Sequence, residues 1–174
     1  MGILIPGNVN HVQGAEETKA IYSKDDDITT IKVLSTTDMH GKFKNFEYAT
    51  MSEAAGGMNQ VAKVIKEERD ENTLVIDNGD NIQGNYEFNY GMDTLFTIAK
   101  QLEDENVNVL TANLYKDGKR VFRPYVVKEV GGVRVAIIGV VTPHITKWDT
   151  EKLIGYEPTN PAEEVKKVID DIIR

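Results

Sequence analysis

Not one of the 174 residues is a cysteine, which excludes disulfides, thiolate zinc sites and a cysteine nucleophile and leaves the redox compartment open. Positive charge is short as well: 20 Lys and Arg stand against 28 Asp and Glu, for a net charge of −8. That balance disfavours a nucleic-acid polymer as partner, because binding a phosphate backbone calls for clustered Lys and Arg. A single phosphate is a different matter, since a divalent cation supplies the positive charge locally. No apolar run approaches the ~20 residues that span a bilayer. The start, MGILIPGNVNHVQGAEE, lacks the apolar length and basic flank of an intact secretory signal. Internal repeats and low-complexity segments are missing too. What remains is an ordinary globular composition, 40% apolar and 28% charged, in a chain long enough for one core.

Residues 1–29 are polar, carry the acidic run Asp25-Asp26-Asp27 and show no sustained periodicity, so they are expected to form an N-terminal arm. Residues 30–174 are expected to form one domain. IKVLSTTD begins it with a short buried strand. Met58, Val61, Ala62 and Ile65 recur at helical spacing after Gly56-Gly57, and the charged run Glu67–Asp70 closes that helix. TLVIDNGD is a second strand. Met92, Leu95, Phe96, Ala99 and Leu102 mark a second amphipathic helix, and NVNVLTAN reads as a third strand. Strand, helix, strand, helix, strand favours a parallel sheet covered by helices.

YVVKEVGGVRVAIIGVV is a hairpin signal around Gly131-Gly132. Its second arm, VAIIGVV, is apolar on both faces and is expected to be central in a sheet. In NPAEEVKKVIDDIIR, Asn160 is placed as N-cap, Pro161 as first helical residue and Glu163 as partner in a capping box. Val165, Val168, Ile169, Ile172 and Ile173 give this last helix an apolar stripe. The fold class read from these signals is α/β, a mixed sheet flanked by helices.

Two strand ends carry acids, Asp38 with His40 after the first and Asp77 with Asp80 after the second. In open α/β sheets ligands bind at the carboxyl ends of the strands. Asp38 and His40 are two apart, which on an extended backbone aims both side chains to one side. A carboxylate and an imidazole converging there suit Mn²⁺, Zn²⁺ or Fe²⁺, which accept oxygen and nitrogen donors together. Against this stands the common use of Asp as a turn or cap residue, the role expected of Asp77. Gly41 and Gly79 leave room for tight turns. His11 is expected to be incidental, His144 to lie near the same sheet edge, and Trp148 to pack.

The stretches STTDMHGKF, GGMNQVAKVIKEERDENTLVIDNGDNIQG and FRPYVVKEVGGVRVAIIGVVTP resemble the N-terminal domain of the 5′-nucleotidase family of calcineurin-like metallophosphoesterases. PHITKWD, at 143–149, is similar to the branch acting on 2′,3′-cyclic nucleotides. The resemblance covers 31–174 and implies a partial αββα sandwich and metal-dependent hydrolysis of nucleotide phosphoesters. The divalent ions are of unspecified identity (Mn, Zn, Fe, Mg or Ca), and the location is extracytoplasmic or wall-attached. It places metal ligation on Asp38, His40 and Asp80.

A further family motif, Gly-Asn-His-Glu followed by Phe-(Asn/Asp)-Tyr-Gly, is matched by Gly84–Gly91. There Asn85 stands at a metal-ligand position and Tyr86 where a catalytic His is expected. In the family a helix and a strand, roughly thirty residues, precede that motif. Here Gly84 belongs to both GDNIQG and the motif, as though two loops had fused across a deletion. The later His-bearing motifs and the nucleobase-gripping domain are not among these residues. The expectation is therefore an incomplete two-metal site, with weak or no turnover by the isolated chain. The alternatives are a non-catalytic folded fragment binding at most one cation, or a module that self-assembles through an exposed sheet edge.

Overall fold

The computed structural model describes residues 28–42, 44, 46, 47, 50–53, 56–81 and 91–174. The expected arm therefore lies outside the described residues, apart from Ile28 and Thr29, and so does His11. The chain divides into two compact units, one drawn from residues up to 88 with 130–133, the other from 89–129 with 134–174.

In the first unit, β1 (Lys32–Thr36) is followed by a small antiparallel pair, β2 (Phe46–Glu47) and β3 (Ser52–Glu53). Helix α1 (Met58–Glu68) and β4 (Thr73–Asp77) complete it. β1 and β4 run parallel, in register from Lys32↔Thr73 to Thr36↔Asp77, so both strands end at the same sheet tip. The helix between them is the expected one. Val61, Val64 and Ile65 are half-buried, while Ala62 is exposed.

Gly57 is required by close approach, since a Cβ there would lie 2.6 Å from the Lys44 carbonyl oxygen. After the helix ends, Asp70 Oδ1 accepts from Thr73 Oγ1 at 2.7 Å and from the Asn72 N–H at 2.9 Å. The Thr73 bond, with Lys32 beside the other oxygen, draws the Asp70 carboxyl below its ordinary range.

In the second unit, α2 (Met92–Asp104) ends where Asn106 takes φ 61°, and the Val107 N–H returns 2.8 Å to the Leu102 carbonyl. The expected third strand does not form. Between Val107 and Asn113 only Leu110 makes a bridge, to Arg123. The segment is held instead by single backbone bonds, from the Thr111 N–H to Arg123 O and from the Ala112 N–H to Gly139 O, and by the Asn113 side chain. Asn113 is fully buried, donates from Nδ2 to the carbonyls of Val141 (2.8 Å) and Thr159 (2.9 Å), and accepts from the Val141 N–H at 2.9 Å.

β5 (Leu114–Lys116) and β6 (Lys119–Arg120) form a two-residue hairpin on Asp117-Gly118, both at positive φ. β7 (Tyr125–Val130) and β8 (Val133–Ile138) pair through the Gly131-Gly132 turn, as the sequence predicts. Among the described residues β8 pairs with β7 alone, so the expectation that it is a central strand does not hold. The strand stops at Ile138 because Gly139 is committed to a crossing. The Ala112 N–H reaches the Gly139 carbonyl at 2.7 Å, and a Cβ on Gly139 would lie 2.2 Å from Leu110 O.

A short helix α3 (Ile145–Trp148) follows, then β9 (Tyr156–Pro158), antiparallel to β5, then α4 (Pro161–Ile172). Met92, Leu114 and Tyr156 centre the core, with Leu95, Phe96 and Ile145 against them. Trp148 is not packed as expected. It is 67% exposed and lies beside His144, ring centroids 6.4 Å apart. Asn160 caps α4 by accepting from the Ala162 N–H at 3.0 Å. The stripe on α4 is only partly used: Val168 is buried, Ile169 and Ile173 are exposed, and the second buried residue is Glu164. Among the described residues no helix is long and apolar enough to cross a membrane.

Candidate metal centre

The two loops leaving the parallel pair are joined backbone to backbone. The Asn78 N–H bonds the Thr36 carbonyl at 2.8 Å, Asp38 N–H bonds Gly79 O at 3.0 Å, and His40 N–H bonds Asp80 O at 3.1 Å. The ladder of the parallel strands is thus carried past their ends. Asp77 holds it there: its carboxylate accepts from Thr36 Oγ1, from the Gly79 N–H at 2.8 Å and from Asn81 Nδ2. This is the capping role expected of Asp77.

Asp38, His40 and Asp80 stand at φ 54°, 47° and 54°, the left-handed region that non-glycine residues seldom occupy. Their convergence is therefore not the work of an extended backbone, as the two-residue spacing of Asp38 and His40 implied. Five left-handed residues, these three with Gly41 (φ 70°) and Gly79 (φ 88°), fold the loops so that the side chains meet. Strained backbone of this kind, costing of order 1–3 kcal/mol a residue, is retained where surrounding bonds enforce it.

One ligand atom from each of Asp38, His40 and Asp80 lies within 4.8 Å of the others. His40 Nε2 is 3.8 Å from Asp38 Oδ1 and 3.6 Å from Asp80 Oδ2. Those spans exceed a hydrogen bond. They suit donors sharing a cation, because two ligands about 2.1 Å from one ion at the tetrahedral angle stand about 3.4 Å apart. All three side chains are substantially exposed, and so open to an entering ligand.

Asn81, the last residue of the Gly-Asp-Asn triplet, was not singled out in the sequence. Its Nδ2 anchors Asp77 while its Oδ1 is buried without a partner among the described residues. Asn85 and Tyr86 lie outside the described residues, as does the whole of 82–90, where the sequence places the fusion. His144 belongs to the second unit, at the start of α3.

No family model matches the chain. It is 29% identical to the trifunctional nucleotide phosphoesterase protein YfkN of Bacillus subtilis, over 72% of this chain and 12% of that protein. The crystal structure of the calcineurin-like phosphoesterase YfkN superposes with a TM-score of 0.68 at 26% identity, covering 80% of this chain and 57% of that one. The chain thus has homologues among proteins named as nucleotide phosphoesterases and a structural neighbour named as a calcineurin-like phosphoesterase.

A 5′-nucleotidase of Vibrio cholerae is 38% identical over 51% of the chain and 16% of its own length. A 2′,3′-cyclic-nucleotide 2′-phosphodiesterase/3′-nucleotidase of Salmonella typhimurium is 26% identical over 79% of the chain and 28% of its own length. The chain thus spans between 12% and 28% of the length of these three relatives, which fits part of an N-terminal domain. The alignment with YfkN runs over 178 residues yet takes up 72% of this 174-residue chain, about 125 residues. Tens of positions in that alignment therefore face no residue of this chain.

Proposed function

We propose that residues 30–174 are a partial metallophosphoesterase domain descended from nucleotide phosphoesterases, in which Asp38, His40 and Asp80 hold one divalent cation. Asn85 is the fourth donor in this reading. The observation that carries it is the meeting of two carboxylates and an imidazole on two strained loops at one sheet tip. Hard oxygen with borderline nitrogen donors favours Mn²⁺, Zn²⁺ or Fe²⁺ over an all-oxygen preference for Mg²⁺ or Ca²⁺. Asn81 Oδ1, buried with no partner among the described residues, adds support, since a hydrated cation held by Asp38, His40 and Asp80 would supply a donor beside them.

The ion would bring Lewis acidity toward a phosphoryl oxygen and a more acidic bound water. The chain's own contribution is placement. Asp77 and the loop ladder hold three donors in position before any ligand arrives, so little ordering is left to binding. Nucleotides or related phosphoesters are the substrate class in the parent protein, by relation to the homologues.

For the isolated chain we infer turnover well below that of intact relatives. Tyr86 stands where a charge-stabilising His is expected, and removal of one such partner costs about 10²–10³ in rate. The assay is hydrolysis of bis-p-nitrophenyl phosphate with added Mn²⁺. Weak turnover that rises in Tyr86→His and vanishes in Asp80→Ala is expected. Robust wild-type turnover lost in Asp80→Ala would show an intact enzyme and overturn the weakened-site reading. Self-association through a sheet edge is the second reading, favoured by the open strands of the second unit.

A further inference from the structure

We propose that Asn78 is a deamidation site built into the loop after β4, held back by the same hydrogen bonds that shape the metal centre, and that its isoaspartyl product unmakes that centre. The last clause rests on the metal reading above, and the rest is independent of it.

Of the chain's asparagines only Asn78 precedes a glycine. Such a pair is open to attack by its own backbone, because glycine has no side chain to shield its nitrogen and turns freely. Asn78 is exposed, and a Cβ placed on Gly79 would meet nothing within 4 Å, so no neighbour walls off the approach. The only co-reactant is water. Gly79 N gives up its proton and bonds to Asn78 Cγ, the Cγ–Nδ2 bond breaks, and ammonia leaves with that proton. Water then opens the cyclic imide. Opening at the side-chain carbonyl yields aspartate. Opening at the main-chain carbonyl yields isoaspartate, whose backbone runs through Cγ and gains an atom.

Both reacting groups are committed elsewhere in the folded chain. The Gly79 N–H donates to Asp77 Oδ1 at 2.8 Å. Its proton has to leave that bond, and the nitrogen left behind would be an anion beside a carboxylate, which like charge disfavours. Asn78 Nδ2 donates to Ser35 Oγ on β1 at 3.0 Å, so the leaving amide is tied to the neighbouring strand. The Asn78 N–H bonds the Thr36 carbonyl and Gly79 O accepts from the Asp38 N–H, which pins the main chain on both sides of the susceptible amide. Cyclisation therefore waits for a local opening that breaks several hydrogen bonds, one of them to a charge. Shield and centre share their parts, Asp77 and the strand-end ladder. The extra backbone atom of isoaspartate falls between the Asn78 N–H and the Gly79 carbonyl, which bond Thr36 and Asp38 in turn. The ladder cannot keep both bonds, and Asp80 is carried out of step with Asp38 and His40.

Incubation of the full chain at mildly alkaline pH, in EDTA so that no metal contributes, followed by peptide mass mapping, gives the rate at Asn78. The folded chain should deamidate there about 100-fold more slowly than the same chain in urea. Ser35→Ala frees the amide and should speed the folded chain about fivefold with the circular dichroism unchanged. Gly79→Ala, measured in urea where the fold plays no part, should slow the reaction by crowding the attacking nitrogen. Equal rates in folded and unfolded wild type overturn the shielding, as does a folded Ser35→Ala chain no faster than wild type. No deamidation at Asn78 in urea, or none of the slowing by Gly79→Ala, overturns the site. The isoaspartyl fraction, separated by anion exchange, should bind Mn²⁺ about tenfold more weakly than the intact chain in calorimetry. Equal affinity overturns the consequence for the centre. An intact chain that binds no Mn²⁺ overturns the metal reading instead, and the rates still decide the deamidation.

Discussion

Glu164 is the only buried carboxylate among the described residues, and it carries more of the second unit than its place in a surface helix indicates. Its oxygens accept from Lys167 Nζ at 2.6 Å, Tyr115 Oη at 2.6 Å and Arg120 Nη2 at 2.8 Å, which ties α4 to the β5–β6 hairpin. The Lys167 bond first, then that from Tyr115, hold the Glu164 carboxyl down to about 2. A depressed carboxyl contributes stability that is complete above the ordinary carboxylate range and is lost as pH falls toward 2. Denaturant unfolding of the wild type and Glu164→Gln between neutral pH and pH 3 checks this. The substitution should cost about 2 kcal/mol at neutral pH, with the difference shrinking on acidification. A constant difference contradicts the assignment.

Asn113→Ala should cost about 2–4 kcal/mol in the same experiment, because it orphans a buried N–H and two carbonyls. Neither residue was legible in the sequence. Asn113 bonds residues 28 and 46 positions away, and two of the three partners of Glu164 lie more than 40 positions away, so nothing local distinguishes Asn113 from a turn asparagine. Asp38, His40 and Asp80 were legible, because strand ends and a two-residue spacing are local. Their left-handed backbone was not, since it is imposed by bonds between two loops forty residues apart.

At the level of elements, the periodic segments came out where apolar spacing placed them: α1, α2, α4, the parallel strands and the β7–β8 hairpin. NVNVLTAN failed for a physical reason. Its β-branched residues favour a strand, but Asn106 closes α2 in the left-handed conformation and Asn113 replaces ladder bonds with its amide. The Asp117-Gly118 turn carries a hairpin signal just as strong as Gly131-Gly132, and it too joins a pair of strands. Gly139 is the joint of this region. Gly139→Ala sets a methyl against the Leu110 carbonyl, which belongs to rigid backbone, and should destabilise by about 1–3 kcal/mol, read as a fall in thermal midpoint. A midpoint unchanged from wild type would mean that the 110–112 crossing is free to move aside.

For the whole molecule, the α/β class and the likeness to nucleotide phosphoesterases follow from short motifs at strand ends, which is why both were legible without a fold-wide signal. What the motifs do not convey is division of the chain into two compact units, a property of contacts rather than of spacing. The central claim concerns the first unit, where a prearranged trio of donors waits at the tip of a parallel strand pair. Calorimetric titration of the full chain with Mn²⁺ tests it most directly. The account predicts a single saturable binding event that disappears in Asp38→Ala, in His40→Ala and in Asp80→Ala. No heat above dilution, or heat that survives all three substitutions, would contradict it.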